Sequence, residues 1–309
     1  DRLLSLAFSE RSLEVQRKVV IEEFKESYLN KPYGDVWFHL RELAYQVHPY
    51  RWMTIGKALT HIEQATLPDV EQFFFKHYRP VNAILVVAGP VPATKVMEWV
   101  HKWFSDIPSG EKYVRHLPAE PLQQEARRKV IHANVPLDAF YKCWHMDSRL
   151  QPGYFAADLI TEVLGGGGSS RLYQKLVKEQ QLFSAIDCYH MGSVEAGILT
   201  IEGKLIKGIH IQDAEAAVEE VLEELKTKGI SEKELIKVKN KTESSMAFED
   251  MSILSRANNL AFYELLGSAS LFHTDRERYF SITNQDMLYY SQQIFNPANS
   301  NTLHYLHQN

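Results

Sequence analysis

Apolar residues recur at helical spacing near the start of the chain. Leu13, Val20 and Phe24 fall on one stripe of a 3.6-residue period, with Gln16 and Glu23 along its edge. This pattern predicts an amphipathic helix. At such an edge, packing can hold the Glu23 carboxylate in place while its oxygens face a cleft. The alternative is an ordinary solvated acid, because most helical glutamates are exposed.

Similar patterns predict the remaining elements. We expect helices over 36–47, 68–78, 94–104, 152–164 and 169–180, and strands over 82–88, 128–135, 140–146, 183–190 and 196–206. The run 82–88 is continuous in apolar residues and is stopped by Gly89 and Pro90, which is typical of a buried strand. Prolines and a glycine lie among charged residues in 105–124, and we interpret this segment as a linker.

The ends of the two halves resemble each other. Seven positions between Thr66 and Asn82 match seven between Thr283 and Asn299 at one offset, 283 − 66 = 217. Chance combined with common cap residues is the alternative. We interpret the matches as an internal duplication, with a first domain at 1–104 and a second at 125–309. If the second copy begins near residue 120, the first begins about a hundred residues before residue 1. The first domain is then incomplete at its N-terminus.

Composition narrows the classes of partner. A chain of 309 residues with 45% hydrophobic and 24% charged residues is globular material. The net charge is −5, and no stripe of Lys and Arg alternates with aromatic residues, so we expect no nucleic-acid partner. The longest apolar run, 83–89, is too short to span a bilayer, so we expect no membrane partner.

The two cysteines bear on the compartment. Cys143 and Cys188 lie in apolar segments without the close spacing of a zinc clip. We interpret them as buried free thiols, which favours a reducing compartment and a cytoplasmic location. A single disulfide is the alternative.

Two histidine motifs do not form a metal site by sequence. His39 and Glu42 form an HxxE pattern without the following His, and His61 with Glu63 has no second His in register. A zinc site needs more ligands than either pattern offers, so we expect ordinary helix-surface residues.

A glycine run after the predicted helix 152–164 is a candidate binding element. It lacks the lysine and spacing of a phosphate loop, and no strand enters it. Exposed backbone N–H groups at the start of the next helix can bind a carbonyl or carboxylate group of a substrate. The candidate substrate-binding residues are Gly165, Gly166, Gly167, Gly168, Ser169 and Ser170.

Four segments, taken in this order, resemble the pitrilysin/insulinase family of zinc peptidases, especially its members related to mitochondrial processing peptidase. They are Arg17 to Glu23 (RKVVIEE), His48 to Gly56, Tyr78 to Gly89 and Leu164 to Leu172 (LGGGGSSRL). The resemblance covers nearly the whole chain. It implies an α+β fold of two homologous domains, each a mostly antiparallel sheet covered by helices, which face each other across a closed chamber.

The resemblance also implies a metal site. Family members hold zinc on an HxxEH motif, with a third ligand, a Glu, roughly 75 residues downstream. By similarity Glu23 is that ligand, and the motif, with its catalytic base, lies about fifty residues before Asp1. The family commonly has a Glu seven residues before the ligand. Gln16 stands there and can support the site only by hydrogen bonds.

The implied activity belongs to the full-length parent protein. We expect a zinc-dependent metalloendopeptidase that cleaves peptides or unfolded segments in the chamber and works as a homodimer or heterodimer. This chain alone should be inactive, because catalytic zinc normally needs three protein ligands. Two alternatives remain: a non-catalytic partner subunit of the same fold, and a scaffold or binding module.

Overall fold

Five strands form one mixed sheet in the computed structural model, which describes residues 3–4 and 6–308. The strand order is β1-β5-β2-β4-β3. β1 and β5 are parallel and the other neighbours are antiparallel, so the expected α+β class with a mostly antiparallel sheet is confirmed. The strands are β1 (Arg127–Ala133), β2 (Ala139–Met146), β3 (Phe183–Met191), β4 (Gly197–Leu205) and β5 (Ser300–His307).

Helices make up most of the remaining described residues. They are α1 (Glu10–Phe24), α2 (Val36–Ala44), α3 (Leu59–Gln64), α4 (Leu67–His77), α5 (Ala93–Phe104), α6 (Pro152–Gly165), α7 (Ile211–Lys228), α8 (Glu232–Asp250), α9 (Ile253–Leu265), α10 (Leu271–Ser281) and α11 (Asn284–Ile294). Lys25–Leu29 and Tyr173–Glu179 are π-helical. Within the described ranges, no helix is both long enough and apolar enough to cross a bilayer.

Two compact units alternate along the chain. Unit 1 consists of Asp1–Ser27, Thr54–Leu117 and Ser245–Thr274, and unit 2 of Tyr28–Met53, Pro118–Ser244 and Asp275–Asn309. Each unit therefore contains residues from both sequence halves. The proposed boundaries at 1–104, 105–124 and 125–309 concern homology between the halves, which compactness does not test, and they stay a prediction.

Helix α2 covers one face of the sheet in unit 2. Val36, Leu40 and Ala44 recur every four residues and are buried in one cluster with Cys143 and Leu303. Because side chains alternate along a strand, the even-numbered residues of β2 face the other way, toward α7 and α11. The core of unit 2 thus lies on both sides of its sheet.

An ion network joins the other face of the sheet to α7. The Glu215 carboxylate accepts two hydrogen bonds of 2.7 Å from Arg128, and lies 2.9 Å from His304 Nε2 and 3.3 Å from Lys142 Nζ. Burial would raise the pKa of Glu215. The hydrogen bonds from His304 and Arg128, with the charge of Lys142, hold that pKa well below its usual range.

The two sequence repeats share local structure. Thr66 and Asp69 form a capping box at the start of α4, as Thr283 and Asp286 do at α11. Each repeat then ends in a short 3₁₀ turn, Pro80–Asn82 or Pro297–Asn299.

The predicted strand over 82–88 is wrong. In the described part of the chain these residues are not a strand, and Ile84, Leu85 and Val87 are 40%, 59% and 53% exposed. A strand requires neighbours that satisfy its backbone N–H and C=O groups. No described segment pairs with 84–88 through backbone hydrogen bonds, so this apolar run remains unpaired.

Two predicted helices also differ in detail. α2 ends at Ala44 rather than at residue 47, because His48 begins a 3₁₀ turn at Pro49. The predicted helix 169–180 is mostly the π-helical segment Tyr173–Glu179. The expectation of buried free thiols is confirmed: Cys143 and Cys188 are unpaired and buried, and burial raises the pKa of both.

Replacing the central acid of the ion network should destabilise unit 2. Glu215→Ala removes the carboxylate that Arg128, His304 and Lys142 share, while Lys142 keeps its contact with Glu219, so we expect a loss of about 2 kcal/mol in the free energy of unfolding. Denaturant titration at pH 7 measures this loss. Glu220→Ala removes an exposed acid from the same helix and should change stability by less than about 0.5 kcal/mol. Equal effects of the two variants would contradict a structural role for the network.

Candidate functional site

Helix α1 carries the predicted metal ligand. The Ser9 hydroxyl caps the helix by accepting a 3.1 Å hydrogen bond from the Ser12 N–H, and the helix extends to the buried Phe24. Phe24 is 5% exposed, whereas Glu23 beside it is exposed. The side chain of Glu23 is thus on the solvent side of a helix whose position Phe24 fixes by packing.

Among the described residues, cations engage two of the four acids of α1, whereas Glu10 and Glu23 have no such partner. Glu14 forms ion pairs with Arg17 and Lys18, and Glu22 pairs with Lys25 at 2.8 Å. Among the described residues Glu23 has neither a hydrogen-bond partner nor an ion-pair partner. Its two oxygens are therefore available for a ligand that the described chain does not supply.

Gln16 lies two helical turns before Glu23. Its side chain is exposed and makes no hydrogen bond to a described residue. A spacing of seven residues puts the two side chains on one face of α1, as the sequence pattern indicated. The supporting role of Gln16 stays a prediction.

Zinc does not fit the described residues alone. Residues 3–4 and 6–308 contain no group of three His, Cys, Asp or Glu side chains that could hold a metal ion. A catalytic zinc site normally has three protein ligands. Glu23 can therefore be one member of a site whose other members are not among these residues.

The glycine run has structural reasons for three of its four glycines. A side chain at Gly165 would overlap the backbone of Cys188, and one at Gly166 would overlap Glu162. Gly167 has φ = +91°, a left-handed conformation that favours glycine. A Cβ at Gly168 would lie 4.0 Å from a ring carbon of Tyr173, which is an ordinary van der Waals contact. The substrate-binding role of the run stays a prediction, but its tight approach to β3 is a packing requirement.

Cations of α8 hold this loop, and the sequence analysis missed them. Lys237 Nζ donates to the carbonyl and hydroxyl oxygens of Ser169, both at 3.2 Å, and Lys241 Nζ donates to the Gly166 carbonyl at 3.3 Å. The two lysines are four residues apart, so they share one face of the helix. That spacing is visible in the sequence, but its proximity to a loop seventy residues away is not.

An arginine fixes the end of the loop to the start of α8. Arg171 forms two hydrogen bonds with Glu234, of 2.8 and 3.0 Å, and a third with the Gly229 carbonyl at 3.0 Å. The hydrogen bond from Arg171 lowers the pKa of Glu234 to about 2. The Ser170 hydroxyl just before it is buried and has no hydrogen-bond partner among the described residues.

Two histidines outside any complete metal-binding motif make contacts with aspartates. His190 Nε2 lies 2.9 Å from one Asp158 oxygen, and Tyr279 donates to the other at 2.6 Å. His39 lies 3.1 Å from Asp35. The His190 contact joins β3 to α6, whereas the His39 contact is with the N-cap residue of its own helix, and both support the interpretation that neither histidine is a zinc ligand.

Glu23 lies in unit 1 and the glycine run in unit 2. The helix, its unpaired carboxylate and the glycine run can be compared with known proteins. The profile of the peptidase M16 inactive domain matches residues 64–242, more than half of the chain. The chain belongs to the family of the peptidase M16 inactive domain. This agrees with the resemblance to zinc peptidases inferred from the four sequence segments.

Relatives of this M16 chain include named zinc proteases. It is 29% identical over 238 residues to the zinc protease PqqE of Helicobacter pylori, an alignment covering 76% of this chain and 53% of that protein. It is 29% identical over 115 residues to the β subunit of the Saccharomyces cerevisiae mitochondrial-processing peptidase, covering 37% and 24%. The chain thus spans about half the length of the first of these relatives.

A solved structure supports the M16 fold. The crystal structure of a protease from Helicobacter pylori superimposes with a TM-score of 0.91 at 26% identity, covering 97% of this chain and 73% of that one. Nearly all of the M16 chain therefore has a counterpart in that protease.

Substitutions in the glycine run should distinguish a glycine that close packing requires from one that it does not. Gly165→Ala forces Cβ into the β3 backbone and should cost about 2 kcal/mol or more of unfolding free energy. Gly168→Ala makes only an ordinary contact with Tyr173 and should cost less than about 1 kcal/mol. Thermal and denaturant unfolding measure both. A Gly168→Ala variant as unstable as Gly165→Ala would contradict this account of the loop.

The Arg171–Glu234 pair should make stability depend on pH. A carboxyl whose pKa is lowered in the folded state stabilises above its unfolded pKa, about 4.3, and that contribution is lost as pH falls toward 2. Arg171→Gln should lower the free energy of unfolding at pH 7 and weaken its dependence on pH between 5 and 2.5. Urea titrations over this range measure both quantities.

Lys95→Gln is the matched control, because it removes a cation from an exposed pair with Glu98 on α5. It should leave the pH profile close to that of the unaltered protein. An Arg171→Gln profile that also matches the unaltered one would show that the pair does not stabilise this end of the loop.

Proposed function

We propose that the parent of this chain is a zinc-dependent metalloendopeptidase in which Glu23 is a metal ligand. The observation that carries the proposal is the state of Glu23, an exposed carboxylate that has no described partner and lies directly before the buried Phe24 on the same helix. Glu10 at the start of the helix is also without a described partner, but it lies outside the RKVVIEE segment. A carboxylate in this state can accept a metal without first breaking an ion pair. Its place in the RKVVIEE segment is where the peptidase resemblance requires a ligand.

Family membership supports the reaction class. Relatives over most of this chain are named zinc proteases, and the family is that of the peptidase M16 inactive domain. The two remaining ligands, the histidines of HxxEH, would come from the part of the parent that precedes residue 1. The general base, the Glu of the same motif, would come from there too. On this proposal the isolated chain does not cleave peptides, because one carboxylate does not retain catalytic zinc.

The glycine run would bind substrate. Gly167 and Gly168 are exposed. Lys237 and Lys241 donate hydrogen bonds to carbonyl oxygens of the loop. An extended peptide offers carbonyl oxygens and a terminal carboxylate that such cations attract. We propose peptides or unfolded segments as substrates, since an extended chain can bring its backbone close to a loop without side chains.

A non-catalytic partner subunit is the second candidate. It is favoured by Gln16, which carries no charge where an acid would tune the metal, and by a family description that names an inactive domain. Three relatives are named as β subunits of a mitochondrial-processing peptidase, which supports a homodimer or heterodimer as the working form. An intact HxxEH before residue 1 favours the enzyme, and its loss favours the partner.

Replacing the proposed ligand tests the assignment in the full-length parent. Glu23→Gln keeps the size of the side chain but removes the charged ligand, so zinc content should fall and cleavage of an unstructured fluorogenic peptide should drop at least about a hundredfold. Zinc is measured by elemental mass spectrometry on dialysed protein.

Glu22→Gln is the control, because it alters the adjacent exposed acid on the same helix. It should retain both zinc and turnover. Unchanged zinc content and turnover in Glu23→Gln would exclude Glu23 as a ligand. Absence of zinc-dependent cleavage in the unaltered parent would favour the partner-subunit function.

A further inference from the structure

A cavity of about 400 Å³ lies between helix α7 and the sheet of unit 2. Its floor consists of residues of β1, β5 and β2, and its other walls come from α7 and from the turn that follows α11. All of its lining residues belong to unit 2, and neither Glu23 nor the glycine run is among them. A cavity of this volume is large enough for a small molecule.

The register of the strands sets the charges on the floor. Thr302 of β5 pairs with Arg128 of β1 on one side and with Lys142 of β2 on the other. Because paired residues of neighbouring strands point to the same face of a sheet, these three side chains form one row. The Lys142 side chain is 9% exposed, whereas that of Arg128 is 52% exposed. The floor thus carries two cations, one buried and one half exposed.

Arg128 keeps one edge of its guanidinium group available. Nη1 and Nη2 donate to the two Glu215 oxygens at 2.7 Å, and Nη1 also lies 3.1 Å from His304 Nε2. A guanidinium group has five N–H donors, and the edge formed by Nε and Nη2 can bind a second carboxylate. No described residue accepts a hydrogen bond from Nε of this arginine. Arg128 can therefore bind the carboxylate of a ligand without releasing Glu215.

Glu219 offers the opposite charge. Glu215 and Glu219 are four residues apart on α7, so both carboxylates lie on the helix face above the floor. Glu219 Oε1 accepts a hydrogen bond from Lys142 Nζ, and Glu219 Oε2 has no partner among the described residues. The Glu219 side chain is 46% exposed, in contrast to 11% for Glu215. One oxygen of Glu219 can therefore accept a hydrogen bond from an ammonium group.

Two aromatic side chains form the apolar part of the cavity. The Trp144 and Phe295 rings are almost perpendicular, at 86°, with centroids 5.0 Å apart. Both residues line the cavity although they are at most 3% exposed, so packing holds their rings in place. An apolar group of a ligand can pack against this surface.

We propose that the cavity binds a free α-amino acid with an apolar side chain. The carboxylate binds the free edge of Arg128, the ammonium group donates to Glu219, and the side chain packs against the two aromatic rings. One Glu215 oxygen lies 2.7 Å from Arg128 Nη2 and 3.3 Å from Lys142 Nζ, and Lys142 in turn holds Glu219. The two charged ends are therefore close enough for one small molecule. The proposal depends neither on zinc nor on the proposed peptidase activity.

Ligands with a single charge fit the cavity less well. The formal charges of Arg128 and Lys142 balance those of Glu215 and Glu219, so the cavity favours neither anions nor cations as a whole. An anion on Arg128 has the Glu219 carboxylate nearby, and a cation on Glu219 has the Lys142 ammonium group nearby. A zwitterion places a charge of the favourable sign at each end.

Isothermal titration calorimetry of the full-length protein tests the proposal with three probes, L-leucine, L-methionine and L-phenylalanine. At least one of them should bind saturably at pH 7. The N-acetyl derivative of that amino acid lacks the ammonium group and its amide lacks the carboxylate, so each should bind at least about tenfold more weakly. Removal of zinc with a chelator should leave the affinity unchanged.

Three results of the titrations would overturn the proposal. The first is the absence of saturable binding of all three probes. The second is equal binding of the N-acetyl derivative or the amide, because the site would then recognise a single charge. The third is loss of binding when zinc is removed, which would place the amino acid at the metal.

Two substitutions test the assigned contacts. Arg128→Lys keeps a cation beside Glu215 but removes the second edge of the guanidinium group, and Glu219→Gln removes the charge that attracts the ammonium group. Each should weaken binding of the amino acid at least about tenfold. Glu220→Gln changes an exposed acid next to Glu219 on α7 and is the matched control, which should bind as the unaltered protein does.

Thermal unfolding shows whether each variant is folded. If Arg128→Lys does not fold, Glu219→Gln decides alone, because the Glu219 side chain is half exposed and its loss leaves Lys142 paired with Glu215. Unchanged affinity in either folded variant would assign the heat of binding to another site and overturn the proposal. An equal loss of affinity in Glu220→Gln would overturn it as well.

Discussion

The packing of α2 against the sheet of unit 2 is the interaction on which the rest of the fold depends. Val36, Leu40 and Ala44 are at most 2% exposed, and burying a side chain such as Val or Leu contributes about 1.5–3 kcal/mol. Arg127 at the start of β1 donates to the Leu43 and Ala44 carbonyls, at 2.6 and 3.1 Å, and so satisfies the end of the helix. A helix of the first half is thereby an integral part of the second half's core.

Local chemistry was readable from the sequence where it acts over a few residues. The Thr66 and Thr283 caps, the helix α1 and the strand β2 follow from cap residues and apolar spacing, and the structure contains them. The strand over 82–88 failed because a strand is not a local property. Its apolar pattern shows that the segment could pair as a strand. Whether it does pair depends on other segments of the chain, which the pattern does not describe.

The candidate site could be predicted from the sequence to the same extent. The position of Glu23 beside the buried Phe24 could be inferred from the helical period, and the break in the helix at the glycine run could be inferred from composition. Lys237, Lys241 and the partners of Glu215 could not, because their contacts join residues some seventy to ninety positions apart. Nothing in the local pattern separates a buried Glu215 from the exposed Glu220 five residues later on the same helix.

The exchange of segments between the units constrains how this polypeptide can be divided. A cleavage between residues 104 and 125 would leave each product holding a helical segment that belongs to the other unit and lacking one of its own. Neither half therefore contains all the residues of one unit, as is also the case for two subunits after domain swapping. The chain passes from one unit to the other near residues 28, 54, 118, 245 and 275, so each unit is built from three separate segments. Recombination would therefore have to transfer the two halves of the chain together.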